Sequence, residues 1–435
     1  MRTAIVHEGA RRLQYEIREI VEYGHELQSR FGVSMTWENI GDPIACGEKV
    51  APWIRDIVRA LVEQDSSWAY CHSRGVLATR EFLAAEVNKR GGCQAGPEDI
   101  LFFNGLADAV DKIYDLIRKD ARVLMPSPTY STHSSNEAKR GDYARLQFPL
   151  DPARGWAPDL DEVRHHVKYN PQIVALAIVN PDNPTGMVYS RQELAGLVDI
   201  ARHNGLFLIC DEIYAHIAYQ GQEARHLSEA VEDVPALALR GISKDYPWPG
   251  SRCAWMEMLN RKADPRFGEY CQALVKAKMM EVCSTTLPQM SVPLVYGDPR
   301  ISGHFRERAE AFRRRAVQAR EAFADVPEVL APMPKGAFYV SVVFREGVLN
   351  GRQTLPLADA ALRDFVAGRV RDVAPDKRFV YYLMASAGIC VTPLSGFATS
   401  LPGFRLTTLH TDDARRQDTL RRLKAAIGEY VSSAP

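Results

Sequence analysis

The run 241–252, GISKDYPWPGSR, places Lys244 directly after Ser243 and eight residues before Arg252. Its two prolines and two glycines prevent it from continuing a helix, so Lys244 is expected on a shaped loop. A lysine amine whose pKa is lowered acts as a nucleophile and a base, and an arginine fork holds a phosphate through two parallel hydrogen bonds. Judged on this run alone, a solvated surface lysine is the commoner case. Other segments must therefore decide between the two interpretations.

Two further runs place polar side chains directly after apolar stretches. The sequence NPDNPTG at 180–186 follows the apolar run 173–179, and Asp211 directly follows the apolar run 206–210. Near residue 101 a short strand ends at Asn104-Gly105, and a helix is predicted from Leu106. A glycine between a strand and a helix exposes backbone N–H groups at the helix N-terminus, which is a suitable site for a phosphate.

The elements that must position these residues follow a repeating order. Helical stretches at 160–167 and 193–203 alternate with short apolar strands at 173–179, 206–210 and 236–239. This alternation predicts an α/β fold whose mainly parallel sheet is covered by helices. In such sheets ligands collect beyond the carboxyl ends of the strands, where Asn180, Asp211 and Lys244 all fall. Three loops at one edge of a sheet are the main physical argument for a site here.

The rest of the chain supplies further helices and a second group of strands. Helices are predicted over about 10–30, 50–63, 79–89 and 106–118, and a long charged helix over about 305–323. Strands are predicted at 338–342 and 404–408, and a helix at 413–431 closes the chain. The stretch 348–378 is expected to be looser, with a helix near 357–370. A chain of 435 residues is long enough for two lobes.

Composition and charge disfavour several classes of partner. Lys+Arg and Asp+Glu both number 54, so the net charge is zero and nothing favours nucleic acid or an anionic membrane. The eight cysteines contain no Cys-x-x-Cys pair, which favours reduced thiols over disulfides or a zinc site, and no metal site is predicted. No run approaches the roughly 18 apolar residues that span a membrane, and the first residues lack the apolar core of a signal peptide. We therefore expect a cytoplasmic protein.

These motifs together resemble a known family. Residues 37–410 resemble the fold-type I pyridoxal-phosphate enzymes of the class I/II aminotransferase superfamily, because the Asn-Pro-x-Asn-Pro-Thr-Gly run and the Ser-Lys-x7-Arg run occur in the family's order and spacing. The resemblance implies a large domain with a mainly parallel sheet covered by helices and a smaller α+β domain. It divides the chain into an N-terminal segment, 1–55, that contributes to the small domain, a large cofactor-binding domain, 56–300, and a C-terminal small domain, 301–435.

The same resemblance implies pyridoxal 5′-phosphate as the cofactor and assigns its partners. Lys244 resembles the Schiff-base lysine and Asp211 the aspartate that keeps the ring nitrogen protonated, so that the ring accepts electrons from a carbanion. The catalytic group is expected to be Lys244, Asp211 and Tyr214. The remaining cofactor ligands resemble a stacking aromatic, two partners of the ring's phenolic oxygen and a phosphate cup: Tyr130, Asn183, Tyr214, Gly105, Leu106, Ala107, Ser243, Arg252 and Tyr70.

Substrate contacts and assembly also follow from the resemblance. Arg405 resembles the arginine that grips the substrate α-carboxylate, and Gly41 lies where the family brings its N-terminal segment over the substrate. Asn183 and Trp37 complete the predicted substrate contacts. Tyr70 matches a tyrosine that reaches the neighbouring subunit's phosphate, which implies a homodimer. The implied activity is transfer of an amino group from an L-amino acid to a 2-oxo acid.

Departures from the family pattern leave the substrate open. Pro247, Trp248 and Cys253 stand where the family has small or aliphatic residues. Trp37, Tyr70, Trp248 and Phe397 could line an apolar or aromatic specificity pocket or belong to the core, and Arg74 is more consistent with a surface role than with a distal carboxylate. The same residues also serve lyases, cyclising synthases and oxidase-like enzymes. A non-catalytic cofactor-binding regulator is disfavoured, because no basic helix-turn-helix segment precedes Trp37.

Overall fold

The computed structural model describes residues 6, 9, 16–140, 145–222, 224–357 and 359–434. The helices in these residues are α1 (Glu16–Phe31), α2 (Pro52–Val62), α3 (Leu77–Lys89), α4 (Leu106–Leu116), α5 (Ser131–Ala138), α6 (Leu160–Tyr169), α7 (Arg191–Asn204), α8 (Leu227–Ala230), α9 (Pro265–Met279), α10 (Thr286–Tyr296), α11 (Ile301–Ala322), α12 (Ala360–Arg369), α13 (Pro375–Ala387) and α14 (Asp413–Ser432). The strands are β1 (Thr36–Trp37), β2 (Ile100–Asn104), β3 (Arg122–Ser127), β4 (Gln147–Asp151), β5 (Ala157–Pro158), β6 (Ile173–Val179), β7 (Phe207–Asp211), β8 (Ala236–Gly241), β9 (Cys253–Leu259), β10 (Val329–Leu330), β11 (Tyr339–Phe344), β12 (Ile389–Cys390), β13 (Thr392–Pro393) and β14 (Gly403–Thr407).

The large sheet has eight strands in the order β2-β9-β8-β7-β6-β3-β4-β5. Its middle, from β8 to β4, is parallel, whereas β9 runs antiparallel to both β8 and β2, and β5 runs antiparallel to β4. The central strands are almost continuously apolar and buried, as expected for strands covered on both faces. The predicted sheet is confirmed, and the carboxyl ends of β6, β7 and β8 meet at one edge.

A second, smaller sheet of four antiparallel strands has the order β10-β11-β14-β13. Helices α11, α13 and α14 pack against its strands or against each other, and one apolar core joins Phe338, Phe379 and Tyr430. The N-terminal segment is attached to this part of the molecule, because β1 pairs in parallel with β12 and Glu38 N–H donates to Cys390 O. The smaller α+β domain is thereby confirmed.

Several boundaries differ from the sequence predictions for physical reasons. The stretch predicted to be looser, 348–378, contains the helix predicted near 357–370, which is α12, and also the start of α13, which was not predicted. Most of α13 is buried, so it lacks the polar face on which a periodic pattern depends. The predicted N-terminal helix begins, among the described residues, at Glu16; its first residues lie outside them. Within the described ranges no helix is both long and apolar enough to cross a membrane.

Candidate active site

A cleft of about 300 Å³ lies at the carboxyl edge of the large sheet. Each of the three predicted loops reaches it: Asn183 follows β6, Asp211 ends β7, and Lys244 follows β8. Most of the predicted cofactor and substrate residues line this cleft: Gly41, Leu106, Ala107, Tyr130, Asn183, Asp211, Tyr214, Ser243, Lys244, Arg252 and Arg405. These predicted residues lie up to 364 positions apart in the sequence, from Gly41 to Arg405, and the fold gathers them around one space.

Lys244 projects its amine into this cleft. Its Nζ donates a hydrogen bond of 2.5 Å to the carbonyl oxygen of Gly41. Burial, together with the nearby charges of Arg252 and Arg405, lowers the pKa of Lys244 to about 8 against the opposing charge of Asp42. A substantial neutral fraction near physiological pH makes this amine a competent nucleophile and base.

The backbone of Lys244 is fixed by an arginine that the sequence analysis did not identify. Arg308 Nη1 on α11 donates to the carbonyl oxygens of Lys244, at 2.7 Å, and Asp245, at 2.5 Å. The same guanidinium is paired with Glu48, which follows Gly41 in the N-terminal segment. In the sequence Arg308 is one of many charged residues on a long helix, so no local signal distinguishes it.

A cup of hydrogen-bond donors surrounds the N-terminus of α4. Gly105 precedes this helix with φ +86° and ψ 161°, a region that is essentially reserved for glycine. A Cβ at Gly105 would lie 2.3 Å from Nη2 of Arg252, so the guanidinium rests directly against the backbone. Ser243, Leu106 and Ala107 line the same end of the cleft. Free amide groups at a helix N-terminus, a hydroxyl and a guanidinium fit a phosphate group.

Asp211 is buried at the floor of the cleft. Its Oδ1 accepts from Ile213 N–H at 3.0 Å, and its Oδ2 lies 3.6 Å from Nε2 of His133. His133 is itself buried, and its Nδ1 is 3.3 Å from the Tyr114 hydroxyl. A carboxylate held in this way fits a protonated ring nitrogen. A lone histidine on α5 carries no sequence signal for this position, and the sequence analysis did not include it.

Arg405 reaches the cleft from β14 and is only 1% exposed. Its Nη1 donates to Oδ1 of Asn183 at 2.9 Å, and its Nη2 donates to the Asn39 carbonyl oxygen and to Oγ1 of Thr392. An arginine is a donor only, so the amide oxygen of Asn183 must face it and the Asn183 NH₂ group is left to donate elsewhere. This geometry suits a carboxylate on Arg405 and a phenolic oxygen on Asn183.

The rings around these groups are also ordered. The guanidinium of Arg405 lies 4.4 Å from the ring centroid of Tyr339 and 4.9 Å from that of Phe397. The hydroxyls of Tyr214 and Tyr339 are 2.9 Å apart, and burial raises the pKa of Tyr214 well above its ordinary value. Tyr214 is therefore protonated at any working pH and can donate one hydrogen bond.

Some predicted residues lie outside the cleft lining. Trp37 packs against Gly24 and His25, and Trp248 packs against the core beneath the lysine loop. Tyr70 is 85% exposed. Phe397 is buried, and its ring contacts the guanidinium of Arg405. Gly105 does not line the cleft itself but lies against Arg252, which does.

Arg74, which was weighed for a distal carboxylate, and Arg18 have different surroundings. Arg74 is not among the residues that line the cleft; it pairs with Glu98 at 3.3 Å, and its side chain is 21% exposed. Arg18 on α1 lines the cleft, and the sequence analysis did not identify it. A single arginine on an amphipathic helix gives no sign that it faces a ligand.

Comparisons with known proteins agree with this geometry. The family model described as aminotransferase class I and II matches residues 44–423. The chain is 46% identical over 433 residues to an uncharacterized aminotransferase from Methanocaldococcus jannaschii, with 100% of both chains covered. It is 28% identical over 304 residues to the glutamate-pyruvate aminotransferase AlaA of Escherichia coli, covering 69% of this chain and 73% of that one. An alanine aminotransferase from Pyrococcus furiosus has the same fold, with a TM-score of 0.83 at 21% identity over 98% of this chain and 100% of that one.

Proposed function

The chain belongs to the class I and II aminotransferases, which are pyridoxal-phosphate enzymes, and we propose that its cleft carries out transamination with Lys244 as the reacting amine. The observation that carries this proposal is the convergence of Lys244, Asp211, Tyr214 and Arg405 on one cleft of about 300 Å³. Each has the chemistry that its role requires, and no other cluster in the described residues combines a low-pKa lysine with a buried carboxylate and a phosphate cup.

The cofactor, when bound, supplies an aldehyde and an electron-accepting ring that stabilises negative charge at the substrate α-carbon. Arg252, Ser243 and the first amides of α4 would hold its phosphate. Asp211 would keep a proton at the ring nitrogen, and the Asn183 amide and the Tyr214 hydroxyl would donate to the phenolic oxygen. These residues would orient the ring so that the amine of Lys244 can reach the substrate α-carbon.

Two residues of the chain then act on the substrate itself. Arg405 binds the α-carboxylate through its planar fork and thereby orients the α-carbon. Lys244 would move a proton away from that carbon in the first half of the reaction and back to the α-carbon of the oxo acid in the second half, a task that suits a pKa near the working pH. The neutral amine is regenerated in each cycle.

The substrates proposed are a small amino acid and a dicarboxylic partner. Relatives named glutamate-pyruvate aminotransferase and alanine aminotransferase support this choice. Arg18 supports it physically, because this residue lines the cleft and an arginine can bind a second carboxylate. The large aromatic side chains Trp37 and Trp248, which would favour an aromatic substrate, lie outside the cleft lining.

The active unit proposed is a homodimer in which Tyr70 reaches the phosphate of the neighbouring subunit. Tyr70 and Trp68 are 85% and 76% exposed, and Met280, at the C-terminal end of α9, is 88% exposed. The Tyr70 loop is joined to the 283–286 loop, since Thr286 Oγ1 donates to Ala69 O. Thr285 N–H in turn donates to Oδ1 of Asn104, next to the phosphate cup. An exposed apolar patch at the rim of a site is typical of a subunit interface.

The decisive experiment follows the absorption spectrum of the cofactor-loaded protein as amino acids are added one at a time without an oxo-acid acceptor. Transamination predicts that one amino acid changes the spectrum and releases its 2-oxo acid stoichiometrically. Release of ammonia or of a cleaved side chain would instead establish a lyase. Lys244→Ala should remain folded by circular dichroism and lose turnover; full activity in that variant would refute the assignment.

A further inference from the structure

Tyr339, on β11, occupies a central place in the cleft that neither the family motifs nor the sequence analysis pointed to. It is 2% exposed, and its hydroxyl lies 2.9 Å from that of Tyr214. Its ring lies under the guanidinium of Arg405, and its hydroxyl abuts Gly41 so closely that a Cβ there would be 2.3 Å away. One side chain thus touches the residues proposed for the phenolic oxygen, the α-carboxylate and the acceptor of Lys244 Nζ.

The hydrogen bond between the two tyrosines has a defined direction once the site is loaded. Tyr214 has a single hydroxyl proton, so if it donates a hydrogen bond to the phenolic oxygen of the cofactor it cannot also donate one to Tyr339. The 2.9 Å contact can then persist only if Tyr339 donates to the oxygen of Tyr214. A hydroxyl that accepts a hydrogen bond becomes a stronger donor, because successive hydrogen bonds polarise one another in a low-dielectric interior.

We infer that Tyr339 is a positioning residue that strengthens the hydrogen bond from Tyr214 to the phenolic oxygen of the cofactor. This inference rests on the proposed function, since it requires the cofactor to lie against Tyr214. The hydroxyl of Tyr339 acts only through Tyr214 and does not touch the reacting atoms. Its effect is to stabilise the negative form of the ring oxygen, which lowers the basicity of the nitrogen that links Lys244 to the cofactor.

The consequence is a shift in the pH at which that nitrogen loses its proton, visible as a change in the absorbance of the loaded enzyme. Removing the direct donor in Tyr214→Phe should raise this midpoint by roughly 1 to 2 pH units, as expected for a hydrogen bond to a charged acceptor. Tyr339→Phe should raise it by a smaller amount, about 0.1 to 0.6 unit, because polarisation changes such a bond by roughly 10–30%.

The test is a double-mutant cycle of absorbance titrations on the cofactor-loaded enzyme: wild type, Tyr339→Phe, Tyr214→Phe and the double variant. The matched control is Tyr219→Phe, which removes a buried hydroxyl whose hydrogen bond goes to Ala337 O, at 3.1 Å, and not to Tyr214. Thermal unfolding of all variants verifies that each one is folded. The inference predicts a shift for Tyr339→Phe in the wild-type background and none in the Tyr214→Phe background.

Any other outcome of the titrations refutes either the role of Tyr339 or the proposed function. A Tyr339→Phe titration that coincides with that of Tyr219→Phe, or an equal shift in both backgrounds, overturns the role of Tyr339 and leaves the proposed function standing. A wild-type protein that shows no lysine-bound cofactor absorbance at any pH overturns the proposed function and the role of Tyr339 with it. The two failures are therefore distinguishable in one set of spectra.

Discussion

Replacing Gly105 by alanine tests the phosphate cup directly. The residue adopts φ +86° and ψ 161°, where an L side chain is strained, and a Cβ would lie 2.3 Å from Nη2 of Arg252 and 2.7 Å from its Cζ. The Arg252 side chain must therefore move out of its place beside the N-terminus of α4. The substitution is expected to destabilise the fold and, separately, to remove a charge-assisted contact to the phosphate.

The two effects have different sizes and different readouts. Backbone strain of this kind costs about 1–3 kcal/mol, which lowers the free energy of unfolding of the cofactor-free protein. Displacing Arg252 removes hydrogen bonds to a charged group worth about 1.5–3 kcal/mol, which corresponds to roughly a 10- to 150-fold weaker cofactor affinity. The loss of cofactor affinity is specific to the site and tests whether the phosphate lies beside Arg252.

Equilibrium titration of the cofactor-free protein with pyridoxal phosphate measures the affinity, and urea unfolding measures the stability. Gly155→Ala is the matched control, because Gly155 also has positive φ, +66°, but its Cβ would meet nothing within 4 Å. The control should lose about 1 kcal/mol of stability and keep its affinity for the cofactor. An unchanged affinity in Gly105→Ala would refute the placement of the phosphate beside Arg252.

Three further predictions concern other parts of the site. Burial lowers the pKa of Lys244 from 10.5 to about 8, so between pH 8 and 10.5 the unfolded chain holds a proton that the folded chain has lost. The free energy of unfolding of the cofactor-free protein, measured with urea and compared with that of Lys244→Met, should therefore rise with pH across this range. A difference that does not change with pH would contradict this prediction. Tyr70→Phe should weaken cofactor affinity roughly tenfold if the hydroxyl reaches a partner's phosphate, whereas unchanged binding in the same titration would leave Tyr70 a packing residue. Arg308→Gln should lower kcat roughly 10- to 100-fold in steady-state assays, because it removes the hydrogen bond that holds the Lys244 backbone. The control is Arg313→Gln, on the same helix, which pairs with Glu310 and should leave kcat unchanged.

The central sheet and the residues at its edge could be predicted from the sequence because their signals are local. The apolar run 173–179 coincides with β6, and the polar residues directly after β6, β7 and β8 meet because parallel strands end at the same edge. The helix predicted from Leu106 begins there. Such features depend on a few neighbouring residues and a general rule of sheet architecture.

Helices and residues whose roles depend on tertiary packing were harder to predict from the sequence. Helix α10 contains Pro293 in its interior, which from sequence alone argues for a break, and α13 is too buried to show a polar face. Arg308 and Tyr339 were missed because their roles arise from contacts across 64 and 125 residues. A residue whose partner is far along the chain leaves no pattern in a single sequence.

Lys244 follows a strand of the large sheet, yet both ends of the residue are held from the other lobe. Its amine donates to Gly41, in the segment joined to the small domain through β1 and β12, and its carbonyl accepts from Arg308 on α11. A hinge rotation that opened the space between the lobes would pull on the reacting amine itself, and closure would return it to its acceptor. The position of the reacting amine is therefore linked to the spacing between the edge of the large sheet and the N-terminal segment.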